Sequence, residues 1–151
     1  MGKGHGLRMI DVGAKPITLR TAIARGSVSM SGKARAALFA GRLPKGDALA
    51  AARVAGVLAA KKTSDLIPLC HPLPLDAVEV RLEKAPRGVK VEARVRCQAR
   101  TGAEMEALTA VCAACLTVYD MAKGVDPAMV IGPVFLAEKK GGRSGHYRRK
   151  K

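Results

Sequence analysis

The chain has 151 residues, enough to bury a hydrophobic core in one domain without help from disulfides or a metal. Its basic residues outnumber the acidic ones by 15, which favours an anionic partner and excludes the class of acidic, disordered proteins. With no Trp, two Tyr and two Phe, it offers few surfaces on which single-stranded nucleic acid could stack.

The sequence shows neither a secretory signal nor an apolar run of about 18 residues, so we expect no membrane association. Its four cysteines are then expected to be reduced thiols of a cytoplasmic protein. Seven of the 27 basic residues fall in 139–151, a segment of the kind that is commonly solvated and disordered. The body of the chain remains basic without them.

The first segment, residues 1–8, is polar and Gly-rich and is predicted to be flexible. Residues 17–30 alternate in polarity, which predicts a long strand. We expect a bulge at Gly26 to shift its parity, so that one face carries Ile17, Leu19, Thr21 and Ile23, and later Val28 and Met30.

Two helices are predicted next, over residues 33–40 and from an Asp47 cap to about Lys62. The second has small residues suited to close packing on Leu49, Ala52, Val54, Gly56, Val57 and Ala60. It leads into LIPLCHPLPL, residues 66–75, whose three prolines forbid an ordinary helix and favour an extended backbone.

Residues 76–85 and 89–99 predict two strands joined at Pro86-Arg87-Gly88. Thr101 and Glu104 form a capping-box pattern that would begin a helix ending near Lys123, with an apolar stripe of Met105, Leu108, Cys112, Cys115, Leu116 and Tyr119. Residues 129–139 predict the last strand. This order predicts an α+β, ferredoxin-like (split βαβ) fold: an antiparallel sheet with helices packed on one face.

The pair Cys112 and Cys115 resembles a redox or zinc motif. However, its first cysteine lies far from the predicted helix start, and the sequence offers no second CxxC or HxxxH pattern to complete a zinc site. We therefore expect both thiols to be buried as small hydrophobic groups, and we expect no metal.

Cys70 and His71 suggest a thiol with its base. In an extended chain neighbouring side chains point to opposite sides, which argues against a shared catalytic role. His71 could contact a substrate or only hydrogen-bond a neighbouring carbonyl, and the residues leave both possibilities open.

Charged residues near helix ends give further candidates. Lys45 precedes a helix N-terminus, where an anion is favoured, and Lys61 lies in the last turn of the same helix. Asp120 and Lys123 have an i, i+3 spacing, so they form either a surface ion pair or, in a desolvated site, a proton-transfer pair. Unlike Glu104, Glu106 has no role in the capping box, so its position in the helix calls for another explanation.

These stretches resemble the cyclic pyranopterin monophosphate synthase family, also called molybdenum cofactor biosynthesis protein C. The matching segments cover nearly all of residues 9–145, and the most specific are PLCHPL and TGAEMEALTA. The resemblance implies one synthase domain over 9–145, followed by a basic tail at 146–151.

The resemblance also implies a lyase that needs no metal or organic cofactor. Its small-molecule substrate is cyclised dihydro-GTP, which it rearranges to the cyclic pyranopterin phosphate with release of pyrophosphate. It implies a homohexamer, a trimer of dimers, with active sites at subunit interfaces. The positions matching the family's catalytic residues are Asp120, Lys123 and Lys45.

The positions matching the family's substrate contacts are Leu69, Cys70, His71, Glu104, Met105 and Glu106 on the base and ribose side, and Arg20, Lys61 and Lys139 on the phosphate side. The chain has Arg143 where the family usually has lysine, which keeps the charge but not a lysine's proton chemistry. A basic nucleic-acid-binding module without catalysis is the alternative, and nucleic acid is the less favoured partner.

Overall fold

The computed structural model of the chain describes residues 6–150. Its helices are α1 (Gly32–Phe39), α2 (Ala48–Lys61), α3 (Thr63–Leu66) and α4 (Glu104–Ala122). Its strands are β1 (Thr18–Ser29), β2 (Leu75–Ala85), β3 (Gly88–Ala99), β4 (Val130–Ile131), β5 (Phe135–Lys140) and β6 (His146–Arg148).

The strands form one antiparallel sheet in the order β2-β3-β1-β5-β6, with β4 also paired to β1. Strand β3 pairs with β1 along its whole length and with β2 on its other edge, so β1 and β2 run parallel with β3 between them. Helices α2 and α4 pack against each other and against the sheet. This is the split βαβ arrangement, and the predicted ferredoxin-like α+β fold is confirmed.

The buried face predicted for the first half of β1 is wrong, whereas Val28 is buried as predicted. The strand's buried face carries Ala22, Ala24, Gly26 and Val28, whereas Leu19 is 58% exposed. The pairing of β1 with β3 is continuous, and the only register shift along β1 lies opposite β5, between Ile23 and Ala24. Small side chains face the helices because α4 lies close to the sheet, and hydrophobicity alone did not reveal this.

Gly26 shows how close that approach is. A Cβ atom at this position would lie 2.6 Å from a methyl carbon of Val111 on α4 and 3.1 Å from one of Val134. The glycine therefore admits the helix, and it does not shift the strand's parity.

The buried stripe of α4 also differs from the prediction. It consists largely of alanine and valine, namely Ala107, Ala110, Val111, Ala114, Val118 and Ala122, together with Glu106 and Cys115. Cys115 is buried as predicted, but Cys112 is exposed and Leu116 is 60% exposed. On α2, Val54 is likewise exposed. The larger side chains face outward because only small ones fit between two closely packed helices.

The helix starts agree with prediction only in part. The Asp47 carboxylate accepts a hydrogen bond from the Ala50 N–H at 3.0 Å, which confirms the predicted cap of α2. The capping box of α4 is wrong, because Ala103 is the N-cap and makes no side-chain cap bond. Glu104 is thus the first helical residue, and its side chain is available for another partner.

Three segments differ from the prediction. The single strand expected over 129–139 is interrupted at Gly132-Pro133 and forms β4 and β5. The tail segment His146–Arg148, expected to be solvated and disordered, is exposed but ordered, and it pairs with β5 as an edge strand. A short helix, α3, follows α2 and ends at Leu66, the first residue of the proline segment. The rest of that segment contains no helix.

Within residues 6–150, α4 is the one helix whose length and apolarity would allow it to cross a membrane. It packs on β1, β3 and α2 as the central helix of the domain. Such core helices commonly satisfy the same criteria, so this observation carries little weight as a membrane signal.

We predict that Gly26→Ala destabilises the fold by about 1–3 kcal/mol, because the added methyl group overpacks the contact with α4. Gly32→Ala is the matched control, since its Cβ would have no atom within 4 Å. Denaturant unfolding of both variants measures the difference. Equal stability of the two variants would contradict the packing described for Gly26.

Candidate active site

Three charged side chains meet at the C-terminal end of α4. The Asp120 carboxylate lies 2.7 Å from the Lys45 ammonium and 2.8 Å from the Lys123 ammonium, one lysine on each oxygen. Lys45 comes from the loop before α2, so the cluster joins the beginning of α2 to the end of α4. About half of each side chain is exposed to solvent.

This arrangement fixes the protonation states of the cluster. The hydrogen bonds from Lys123 and then Lys45 lower the pKa of Asp120 to about 2. The reciprocal bond from Asp120 raises the pKa of Lys123. At neutral pH the cluster is therefore one carboxylate between two ammonium groups, which is a base beside potential acids.

A basic cavity of about 850 Å³ opens at the other end of α4. Side chains from β1, β5 and the loops around them line it. Among these are Arg20, Lys139 and Arg143, together with Lys15 and Arg100. A cavity of this charge suits a polyphosphate group.

The backbone holds Arg20 within this cavity. Its guanidinium donates to the carbonyls of Arg100 at 3.3 Å and Gly141 at 3.5 Å, and it packs over Gly142, where a Cβ atom would collide with it. Its Nε atom is buried with no hydrogen-bond partner among the described residues. The side chain is thus fixed in position while retaining capacity to donate.

Glu104 and Lys139 form an ion pair of 2.8 Å at the edge of the same cavity. Their side chains are only 26% and 30% exposed. This pairing explains why Glu104 stands at the start of α4 without acting in a capping box.

A second cavity, of about 450 Å³, adjoins the first. Its walls are mostly apolar and come from the proline segment, the start of α4 and the loop before β1. They include Leu69, Cys70, His71, Leu73, Met105, Ile10 and Val12. Lys15, Thr101, Gly102 and Glu104 line both cavities, so the two are direct neighbours.

Cys70 and His71 therefore line one cavity, although an extended chain was expected to separate them. The Cys70 N–H donates to the Ile67 carbonyl at 3.1 Å, and this turn bends the segment just before His71. The prolines keep the segment out of a helix, as predicted, but they do not make it straight.

Glu106 lies beneath Cys70 and is 2% exposed. The Cys70 thiol is 3.9 Å from one carboxyl oxygen of Glu106, and the other oxygen has no partner within residues 6–150. Burial raises the pKa of Glu106, and burial together with this carboxyl group raises the pKa of Cys70. A thiol in this setting stays protonated, which makes Cys70 a poor nucleophile.

The candidate residues thus form two groups at opposite ends of α4. From Glu104 to Asp120 the helix rises about 24 Å, at about 1.5 Å per residue. The predicted substrate contacts lie at its N-terminal end, and the predicted proton-transfer residues lie at its C-terminal end. One subunit therefore does not bring the two groups together.

Lys61 ends α2 and lines neither of the two cavities. Conversely, Lys15, Arg100 and Ser144 line the basic cavity, although the sequence did not single them out. They come from the loop before β1, the end of β3 and the loop after β5. These three segments meet at one edge of the sheet because of the strand register. In the sequence, the basic or polar character of the three residues was the only indication that they belong to the cavity.

Other features of the structure do not extend the site. Among the residues described, 6–150, no group of three or more His, Cys, Asp or Glu side chains lies close enough to hold a metal ion. A cavity of about 420 Å³ lies on the sheet face opposite the helices, where Arg25 pairs with Glu92 at 2.7 Å. None of the predicted site residues lines it.

We predict that Lys123→Met moves the pKa of Asp120 upward from about 2 toward its ordinary value of 3.8, and that Lys45→Met has a smaller effect. Because folding lowers this pKa, the cluster favours the folded state above about pH 4 and loses that contribution as the pH falls toward 2. Carbon-detected NMR titration of the Asp120 carboxyl group measures the shift. Lys62→Met, which removes a partner of Asp65, should leave it unchanged.

Comparison with known proteins places this geometry in context. The sequence model described as the MoaC family matches residues 9–142. A protein of Roseiflexus castenholzii named cyclic pyranopterin monophosphate synthase is 59% identical over 140 residues, covering 91% of this chain and 89% of its own length. Proteins of the same name from Novosphingobium aromaticivorans and Thermomicrobium roseum are 54% and 56% identical, covering 96% and 94% of this chain and 92% and 87% of their own lengths. The chain belongs to the MoaC family.

Proposed function

We propose that this chain is a lyase of molybdenum cofactor biosynthesis that forms cyclic pyranopterin monophosphate. The substrate is cyclised dihydro-GTP, and pyrophosphate is released. The observation that carries the proposal, beside the family membership, is the pair of neighbouring cavities, one basic and one largely apolar. A purine-derived triphosphate needs both environments, because its phosphates require basic groups and its base requires apolar walls.

The triphosphate would occupy the basic cavity, held by Arg20, Lys139 and Arg143. Arg20 is supported by backbone carbonyls, so it would hold a phosphate with little loss of conformational freedom. Lys61 would add charge from the end of α2. Neutralising the triphosphate lets a ribose hydroxyl attack the α-phosphorus and expel pyrophosphate.

The base would occupy the apolar cavity. Leu69, Cys70 and Met105 would form its walls, and His71 would contact the polar edge of the base. Glu106, whose pKa burial raises, would retain a proton more readily than an exposed carboxyl group and would lie beneath the base. Cys70 would serve as pocket wall and not as a nucleophile.

Asp120 and Lys123 would move protons while the purine ring opens and the pyranopterin closes, with Lys45 holding the carboxylate in place. In the isolated subunit this cluster is half exposed. Contact with the substrate and a second subunit would remove water from it and bring the pKa values of acid and base closer together.

The active enzyme would be a homohexamer, a trimer of dimers, with each site built from two subunits. The roughly 24 Å between the two residue groups on α4 supports this arrangement, because a nucleotide-sized substrate cannot span both ends of one helix in one pocket. A cytoplasmic location is consistent with four free cysteines, all of them among the described residues.

We predict that Asp120→Asn and Lys123→Ala each lower turnover by about 10²- to 10⁴-fold, the usual contribution of a positioned acid or base. Pyranopterin formation and pyrophosphate release are measured together on purified protein. Lys62→Ala is the control, because this exposed lysine pairs with Asp65 and lies outside the proposed site. Full activity of Lys123→Ala would exclude the proposed proton-transfer role.

We predict that mixing two inactive variants restores activity if each defect lies at a different end of α4. Random exchange of Lys123→Ala with His71→Ala subunits gives half mixed dimers, each with one intact site, or about a quarter of wild-type activity. Mixing Lys123→Ala with Asp120→Asn is the control, because both defects affect the same end and no intact site forms. If neither mixture recovers activity although native mass spectrometry shows exchange, shared sites are excluded.

A further inference from the structure

The residues that follow Ser144 have no role in the proposed function. Residues 146–149 are exposed, yet His146–Arg148 form β6 at the edge of the sheet. We call residues 146–149 the clasp. They follow directly on the loop 141–145, which brings Arg143 and Ser144 to the wall of the basic cavity.

The first half of this loop lies against Arg20. Gly141 and Gly142 have positive φ angles of 102° and 77°. A Cβ atom on Gly142 would collide with the Arg20 guanidinium, so the backbone approaches this side chain only because no methyl group intervenes. Arg143 and Ser144 come next and are exposed. The path of the backbone beyond them therefore decides where their side chains lie.

Contacts from the clasp fix the other end of the loop. The Nε2 atom of His146 lies 2.7 Å from the Glu138 carboxylate. The Arg149 N–H donates to the Ala137 carbonyl at 2.9 Å, and the Arg149 guanidinium lies 4.9 Å from the centre of the Phe135 ring. One side-chain contact thus lies at each end of β6, and both join the clasp to β5.

The chemistry of Glu138 defines the first of these contacts. Hydrogen bonds from His146 and then from Lys140 lower the pKa of Glu138, so the group is a carboxylate at neutral pH. A carboxylate only accepts hydrogen bonds, and the Nε2 atom of His146 therefore carries the proton that is shared with it. The second contact is a cation–π interaction between Arg149 and Phe135.

The clasp does not itself reach the basic cavity. None of residues 146–149 lines that cavity. Arg149 instead lines a separate cavity of about 230 Å³, together with Phe135 and Glu138. Any effect of the clasp on a ligand in the basic cavity must therefore pass through the loop that precedes it.

We propose that the clasp is a positioning element for the triphosphate. By holding β6 on β5 it keeps the loop 141–145 folded before the substrate arrives, so Arg143 and Ser144 bind phosphate without first being ordered. The inference rests on the proposed function for the identity of the triphosphate and its cavity. It adds side chains that act on binding without touching the substrate.

The test removes both side-chain contacts in one double variant, His146→Ala with Arg149→Ala. Each contact of this exposed kind contributes about 2- to 5-fold. We therefore expect the Kd of inorganic tripolyphosphate, measured by titration calorimetry, and the KM of the substrate to rise by about 5- to 20-fold. The value of kcat should stay unchanged, because the clasp does not touch the reacting atoms. Amide hydrogen exchange of residues 141–145 should become faster.

Two controls separate the position of the loop from the charge of the clasp. The double variant His146→Gln with Arg149→Lys keeps a donor for Glu138 and a cation over Phe135, so it should bind tripolyphosphate as the wild type does. Lys150→Ala removes one cation just beyond the clasp and should also bind normally.

Several results would overturn the proposal. These are a double alanine variant that binds tripolyphosphate and substrate as tightly as the wild type, a Gln and Lys variant that binds as weakly as the alanine variant, and a Lys150→Ala variant that does so. Tripolyphosphate binding and hydrogen exchange do not require turnover. If both respond as expected while the wild type forms no pyranopterin, the proposed function fails and the clasp stands. An active wild type with an unaffected alanine variant refutes the clasp alone.

Discussion

Close packing of α4 against β1 and α2 is the constraint on which the rest of the structure depends. Gly26 leaves no room for a side chain beneath Val111, and the buried stripe of the helix is largely alanine and valine. This packing fixes the position of both ends of α4. One end then lies beside Arg20 and Lys139 in the basic cavity, and the other lies beside Lys45.

The same constraint sends the larger apolar side chains of the two helices outward. Leu116, Val54 and Leu58 do not fit between tightly packed helices, so they form an exposed surface. The surface lies between the two groups of candidate residues. The packing that stabilises the subunit thus also leaves an apolar area exposed on the helix layer.

Much of the fold could be predicted from sequence, because local signals and global topology agree. The Asp47 cap, the turn at residues 86–88 and the proline segment each depend on the chemistry of a few adjacent residues. The errors in assigning buried faces arose where small residues take the place of large ones in the core. The prediction assigned Cys112 and Leu116 to the inside because hydrophobicity does not report how closely two helices approach.

The sequence by itself determined the order of the main elements, the family and the candidate charged residues, because these depend on residue type and spacing along the chain. Tertiary structure alone decided that Cys70 and His71 share one cavity, and that Lys15 and Arg100 line the basic cavity beside it. Those relations depend on strand register and helix packing, which arise from contacts between residues distant in sequence.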